Sequence, residues 1–166
     1  MLPRLRWAAY RLVCASIYTG VVLTGGLLLY VLAPLITHLM LRDARFWRHL
    51  RLFPGMRRSA TYQFWLLLSD RQYRALFRIP FTEPPASAPD PARVRISPDW
   101  QRSTSTCPNC SCCCQKLRCA LLDSNTGLCR AYDSFYWRYF NCGRYPTSQA
   151  QIDYYACPKW QIRAVG

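Results

Sequence analysis

The sequence predicts a membrane protein with a single N-terminal transmembrane helix, a basic amphipathic juxtamembrane segment and a small, irregular, cysteine-rich α+β domain. Three observations predict it. From Leu12 to Leu41 there is no Asp, Glu, Lys or Arg. The chain carries 22 Lys+Arg against 8 Asp+Glu, a net charge of +14, and only Lys116 and Lys159 among the cations are lysines. Of its 10 cysteines, all but Cys14 lie between Cys107 and Cys157. These features divide the chain into a basic flank (1–11), a transmembrane helix (12–41), a basic aromatic interfacial segment (42–80), a proline-rich linker (81–106) and a cysteine-rich domain (107–166).

A bilayer core of about 30 Å takes roughly 20 apolar residues as a helix, and the uncharged run exceeds that. It also exceeds the apolar core of a signal peptide, about 7–15 residues. Gly25, Gly26 and Pro34 break helices in water but are tolerated in lipid when neighbouring helices satisfy the backbone. Gly20, Thr24, Gly25 and Gly26 supply small residues for close helix contact. A flexible anchor and a docking helix for a larger membrane complex are both open. His38, near the end of the run, suits either a haem or pigment ligand or an interfacial hydrogen bond. Arg4, Arg6 and Arg11 on one flank nearly balance Arg42, Arg45, Arg48 and Arg51 on the other, so charge leaves the orientation open.

In the next segment Phe46, Trp47, Leu50 and Phe53 recur at helical spacing, with arginines between them. Arg42, Arg45, Trp47, Arg48, Arg51, Arg57 and Arg58 are candidate contacts to anionic lipid headgroups or to an acidic partner. Pro54-Gly55 predicts a break, and Gln63 to Leu68 a short buried strand or helix turn. Ser69 to Gln72 reads as a capping box and predicts a helix from about Asp70 to Ile79, stopped by Pro80. Pro84, Pro85, Pro89, Pro91 and Pro98 predict an extended spacer.

Cys107, Cys110, Cys112, Cys113, Cys114, Cys119, Cys129, Cys142 and Cys157 are candidates for disulfides or for metal. Cys107-Pro-Asn-Cys110 has zinc-knuckle spacing, but no separate second pair follows among the singly spaced later cysteines, and no histidine lies beyond His49. A head of about 60 residues buries little apolar surface, and disulfides are the usual remedy. The disulfide reading sends the head to an oxidising, extracytoplasmic space. A cytoplasmic zinc or iron–sulfur head, and a thiol–disulfide oxidoreductase using Cys107 and Cys110, are the alternatives. Asn109-Cys-Ser111 is formally a glycosylation acceptor.

Asp123 to Gly127 is a turn signal. The aromatics exceed what so small a core would hold. Tyr136, Trp137, Tyr139, Phe140, Tyr155 and Trp160 are therefore candidate partner contacts. No Ser/His/Asp set, Gly-rich phosphate loop or nucleic-acid module is present, which argues against catalysis and against a nucleic-acid partner. The composition thus points to a non-catalytic, single-pass accessory subunit without a cofactor, whose partners are other subunits of a membrane complex and anionic lipid.

Overall fold

The computed structural model describes residues 2–85, 88–100, 111–140 and 145–163. In it the apolar run is a helical hairpin, not one helix. Helix α1 (Leu2–Leu23) begins well before the run and carries Arg4, Arg6 and Arg11. The chain then reverses through Thr24, Gly25 and Gly26, with φ of 59° at Gly25 and 95° at Gly26. Only glycine adopts that region cheaply, and two in succession end the helix. Thr24 Oγ1 donates to the Gly20 carbonyl at 2.8 Å, and the Leu28 N–H donates to Thr24 Oγ1 at 3.2 Å. Helix α2 (Leu27–Val31) and helix α3 (Ala33–Leu41) form the returning arm. Pro34 sits in the first turn of α3, where its missing N–H costs no helical bond.

No helix among the described residues is long and apolar enough to cross a membrane. This overturns the single-pass architecture and the placement of a head beyond the crossing. Apolar length is a valid criterion only for an unbroken helix, and the double glycine breaks this one. Both ends of the run meet the same place. The Tyr10 ring lies 4.8 Å from that of Phe135, and Arg42 Nη2 lies 2.7 Å from Asp133 Oδ2. A continuous helix would hold residues 10 and 42 about 48 Å apart.

Two short 3-10 turns lead into helix α4 (Phe53–Ser69). Pro54 opens α4 in its first turn instead of breaking it, and the stretch 63–68 continues the helix. Helix α5 (Arg71–Leu76) is capped by Asp70, whose carboxylate accepts from the Tyr73 N–H at 3.0 Å. The cap therefore falls one residue after Ser69, whose hydroxyl donates to the Trp65 carbonyl at 2.9 Å. Val21, Leu29, Ala33, Ile36, Phe53 and Met56 form a core between the hairpin and α4.

The cysteine-rich part folds onto that core. Leu121 and Ala131 are buried in it, and Cys119 and Cys129 pack against it. Gly55 admits Ala120 so closely that a side chain at 55 would collide with its Cβ. Short helices α6 (Cys112–Lys116), α7 (Phe135–Phe140) and α8 (Gln149–Tyr155) follow. Strands β1 (Val94–Ile96) and β2 (Trp160–Ile162) pair antiparallel, with Arg95 opposite Gln161. Val94, Trp137, Tyr145, Ile152 and Trp160 make a second, mostly aromatic core. Arg11 ties the two parts together. It is fully buried, and its guanidinium donates to the carbonyls of Tyr139, Phe81, Glu83 and Pro84 at 2.8, 3.0, 2.6 and 3.2 Å.

Candidate functional site

Two features stand out on the folded chain: an arginine groove beside the hairpin tip and a cluster of thiols next to it. The open groove has a volume of about 860 Å³ and is lined by Gly25, Arg57, Arg58, Thr61, Tyr62, Trp65 and Arg118. Helix α4 places Arg57, Arg58, Thr61, Tyr62 and Trp65 within two turns of each other. The Arg57 stem lies directly on Gly26, too close for a side chain there. The Arg118 guanidinium sits over the Tyr62 ring at 4.4 Å, and Tyr62 stacks on Trp65 at 6.1 Å between centroids. Ser59 fixes the Arg118 backbone to α4: its hydroxyl bonds the Arg118 carbonyl and accepts from the Ala120 N–H at 3.1 Å. Arg118 is itself held at a φ of 50°. Among the described residues, no carboxylate lines the groove.

Beside it, the hairpin tip turns apolar side chains outward. Leu23, Leu27 and Val31 are 77%, 71% and 73% exposed. Trp65 and Leu68 on α4 are exposed as well. Three guanidinium groups, two stacked rings and a greasy tip thus share one side of the molecule.

The thiol cluster is built by α6 and the Leu122–Cys129 bridge. The Cys114 thiol is in hydrogen-bonding contact with Cys113, Cys119 and Cys129. Those contacts, together with burial, push the Cys114 thiol far above the ordinary thiol range. Cys129 moves the other way. The hydrogen bond from Cys114 comes first, and the N–H groups of Ala131 and Tyr132 add to it, so its thiol is acidified despite burial. Asp123 anchors the intervening turn by accepting from the Asn125 N–H at 2.9 Å and pairing with Arg130 at 3.0 Å.

No disulfide joins the cysteines among the described residues. The disulfide-stapled reading is therefore not met among the described cysteines. The head's stability comes from sharing the hairpin's aliphatic core, which removes the argument that a small isolated head needs staples. Among the described residues, no three His, Cys, Asp or Glu side chains are arranged to hold a metal ion. Cys107, Cys110 and Cys142 lie outside the described residues, as do Asn109 and the knuckle they belong to.

No protein-family model, curated protein or solved structure matches this chain. The site must be judged on its own geometry.

The remaining sequence candidates fall in several places. Arg42 caps α3 and pairs with Asp133 at the surface, where α3 meets the start of α7. Arg45, Trp47, Arg48 and Arg51 are exposed on the connection before α4. Trp137 and Trp160 are buried in the aromatic core. Tyr139 packs on Tyr10 and Phe135, and Phe140 on Tyr18 and Tyr136, so these rings join head to hairpin. Tyr155 meets Tyr154 edge-on. His38 is exposed near the end of α3. Sequence reasoning missed Tyr62 and Trp65, neighbours on one face of α4, missed Arg118, which reaches Tyr62 across 56 residues, and missed the burial of Arg11. The Gly25-Gly26 pair between two apolar arms is a turn signal at the hairpin tip, but the same pair is tolerated in a membrane helix.

One small apolar cavity, about 80 Å³, lies between α1, α3 and α4, with Cys14 and Cys119 in its wall. It is well below the roughly 300–1,000 Å³ of ligand pockets. Burial there pushes the Cys14 thiol up to about 11.

Proposed function

We propose that the protein is a non-catalytic docking subunit that seats on an anionic bilayer surface through the hairpin tip and the arginine groove. The observation that carries this reading is the juxtaposition of exposed Leu23 and Leu27 with Arg57, Arg58 and Arg118. Guanidinium groups bind phosphate oxygens bidentately. Apolar side chains at the same level enter the acyl boundary, and Trp and Tyr favour the headgroup layer between. Each basic residue near an anionic surface contributes about 1 kcal/mol, so three arginines account for roughly a hundredfold in affinity. No crossing helix is needed. Other subunits of a membrane complex would then meet the protein at that surface.

Co-sedimentation of the full chain with vesicles tests this. Phosphatidylcholine vesicles containing phosphatidylglycerol should bind it, and pure phosphatidylcholine should bind it far more weakly. Binding should weaken with salt, because exposed charges are screened beyond a Debye length of about 10 Å at 0.1 M. Equal binding to neutral and anionic vesicles, or binding to neither, would remove the proposal.

A further inference from the structure

We infer that the arginine groove is a discrete site for a lipid headgroup bearing two or more phosphomonoester groups, an assignment that rests on docking at the bilayer surface. The groove is positioned by packing and not merely charged. Arg118 is held at a φ of 50°, a conformation that persists in a non-glycine residue only where the surroundings fix it. Ser59 supplies that fixing: its hydroxyl bonds the Arg118 carbonyl and accepts from the Ala120 N–H at 3.1 Å. The Arg118 guanidinium lies 4.4 Å from the Tyr62 ring centroid, and Tyr62 in turn stacks on Trp65. The Arg57 stem rests on Gly26. Two of the three cations are thus placed before any ligand arrives, which lowers the ordering cost of binding. Arg42, Arg93, Arg130 and Arg138 pair with carboxylates, whereas Arg57, Arg58 and Arg118 form none of the ion pairs found among the described residues.

Donor count sets the ligand class. A guanidinium matches two phosphate oxygens with two parallel N–H donors, so three of them take up about six oxygens. A phosphodiester headgroup such as that of phosphatidylglycerol has two unesterified oxygens, enough for one guanidinium. A phosphomonoester has three and a charge of about −1.5 to −2. Two of them therefore match the donors of the groove and offset its three positive charges. The groove, at about 860 Å³, has room for such a headgroup. Gly25 forms part of its wall, two residues from both Leu23 and Leu27. A headgroup seated there has the exposed leucines of the tip beside its acyl chains.

Two sets of phosphatidylcholine vesicles, adjusted to equal zeta potential, test this with the full chain. One set contains phosphatidylinositol bisphosphate and the other phosphatidylglycerol. A diffuse surface field attracts the protein equally to both. The site should bind the bisphosphate set at least ~10-fold more tightly, the worth of one added charge-assisted hydrogen bond. Arg118→Lys keeps the charge but removes the planar fork and its stacking. It should abolish most of that preference while leaving phosphatidylglycerol binding within about twofold, which also shows that the variant folds. Equal binding of the wild type to both sets would overturn the assignment and leave docking standing, whereas binding to neither would end both. A preference unchanged in Arg118→Lys, or binding of free inositol trisphosphate without binding of the bisphosphate vesicles, would overturn the assignment as well.

Discussion

The two ends of α1 hold their polar and apolar groups in opposite ways. At its N-terminal half, Arg11 is fully buried and four backbone carbonyls surround its guanidinium. At its C-terminal end Leu23 is 77% exposed, next to a groove of arginines that no carboxylate lines among the described residues. One end has cation inside, the other grease outside. A buried cation satisfied by carbonyls is a structural clamp, since its withdrawal leaves four acceptors without a donor. An exposed leucine beside unneutralised guanidinium groups contributes nothing to such a clamp and is suited to an external amphipathic surface.

The comparison is broken most severely at Arg11. Arg11→Met should lower stability by about 3 kcal/mol or more, because each orphaned buried carbonyl costs about 1–3 kcal/mol. Urea unfolding checks this. Arg11→Lys should recover only part of the loss, since an ammonium cannot span four acceptors in a planar fork. Next comes the tip. Leu23→Ser with Leu27→Ser should leave the unfolding midpoint unchanged. It should weaken anionic-vesicle binding by tenfold or more, as each buried leucine is worth about 1.5–3 kcal/mol. Replacing Arg57, Arg58 and Arg118 by Gln should cost roughly a hundredfold in the same assay and flatten its salt dependence. A smaller effect is expected from Gly26→Ala. Its φ of 95° and the Arg57 stem above it make a side chain strained there, at about 1–3 kcal/mol, read as a lower midpoint.

The two cores differ in how far they could be read from sequence. The helical spans of the first core follow from its apolar periodicity, but its connection does not. Window length outweighed the Gly25-Gly26 turn, because a glycine pair reads alike in a membrane helix and in a hairpin until a packing partner is known. That partner, α4, was itself divided at Pro54-Gly55, although proline is well placed in a first helical turn. In the aromatic core the residues were legible as a group. Their direction was not: Trp137 and Trp160 turn inward because β1, 60-odd residues from β2 along the chain, supplies Val94 as a lid. The arginines of the groove were legible in part, Arg57 and Arg58 from their charge run. Arg118 joins them through Ser59 and the Tyr62 ring, contacts across 59 and 56 residues that no local pattern announces. The thiols were legible as a cluster, but the absence of a disulfide among the described ones was not, because the packing of the head on the hairpin core is a tertiary fact.

The whole account depends on the hairpin. Spin labels carried by non-canonical amino acids at positions 9 and 44, both exposed, measure it directly by pulsed dipolar spectroscopy. Arms that turn back at Gly25-Gly26 and both seat on α7 predict a separation on the order of 10–25 Å, label linkers included. A distribution centred near about 50 Å, the length of one unbroken helix between those positions, would contradict it.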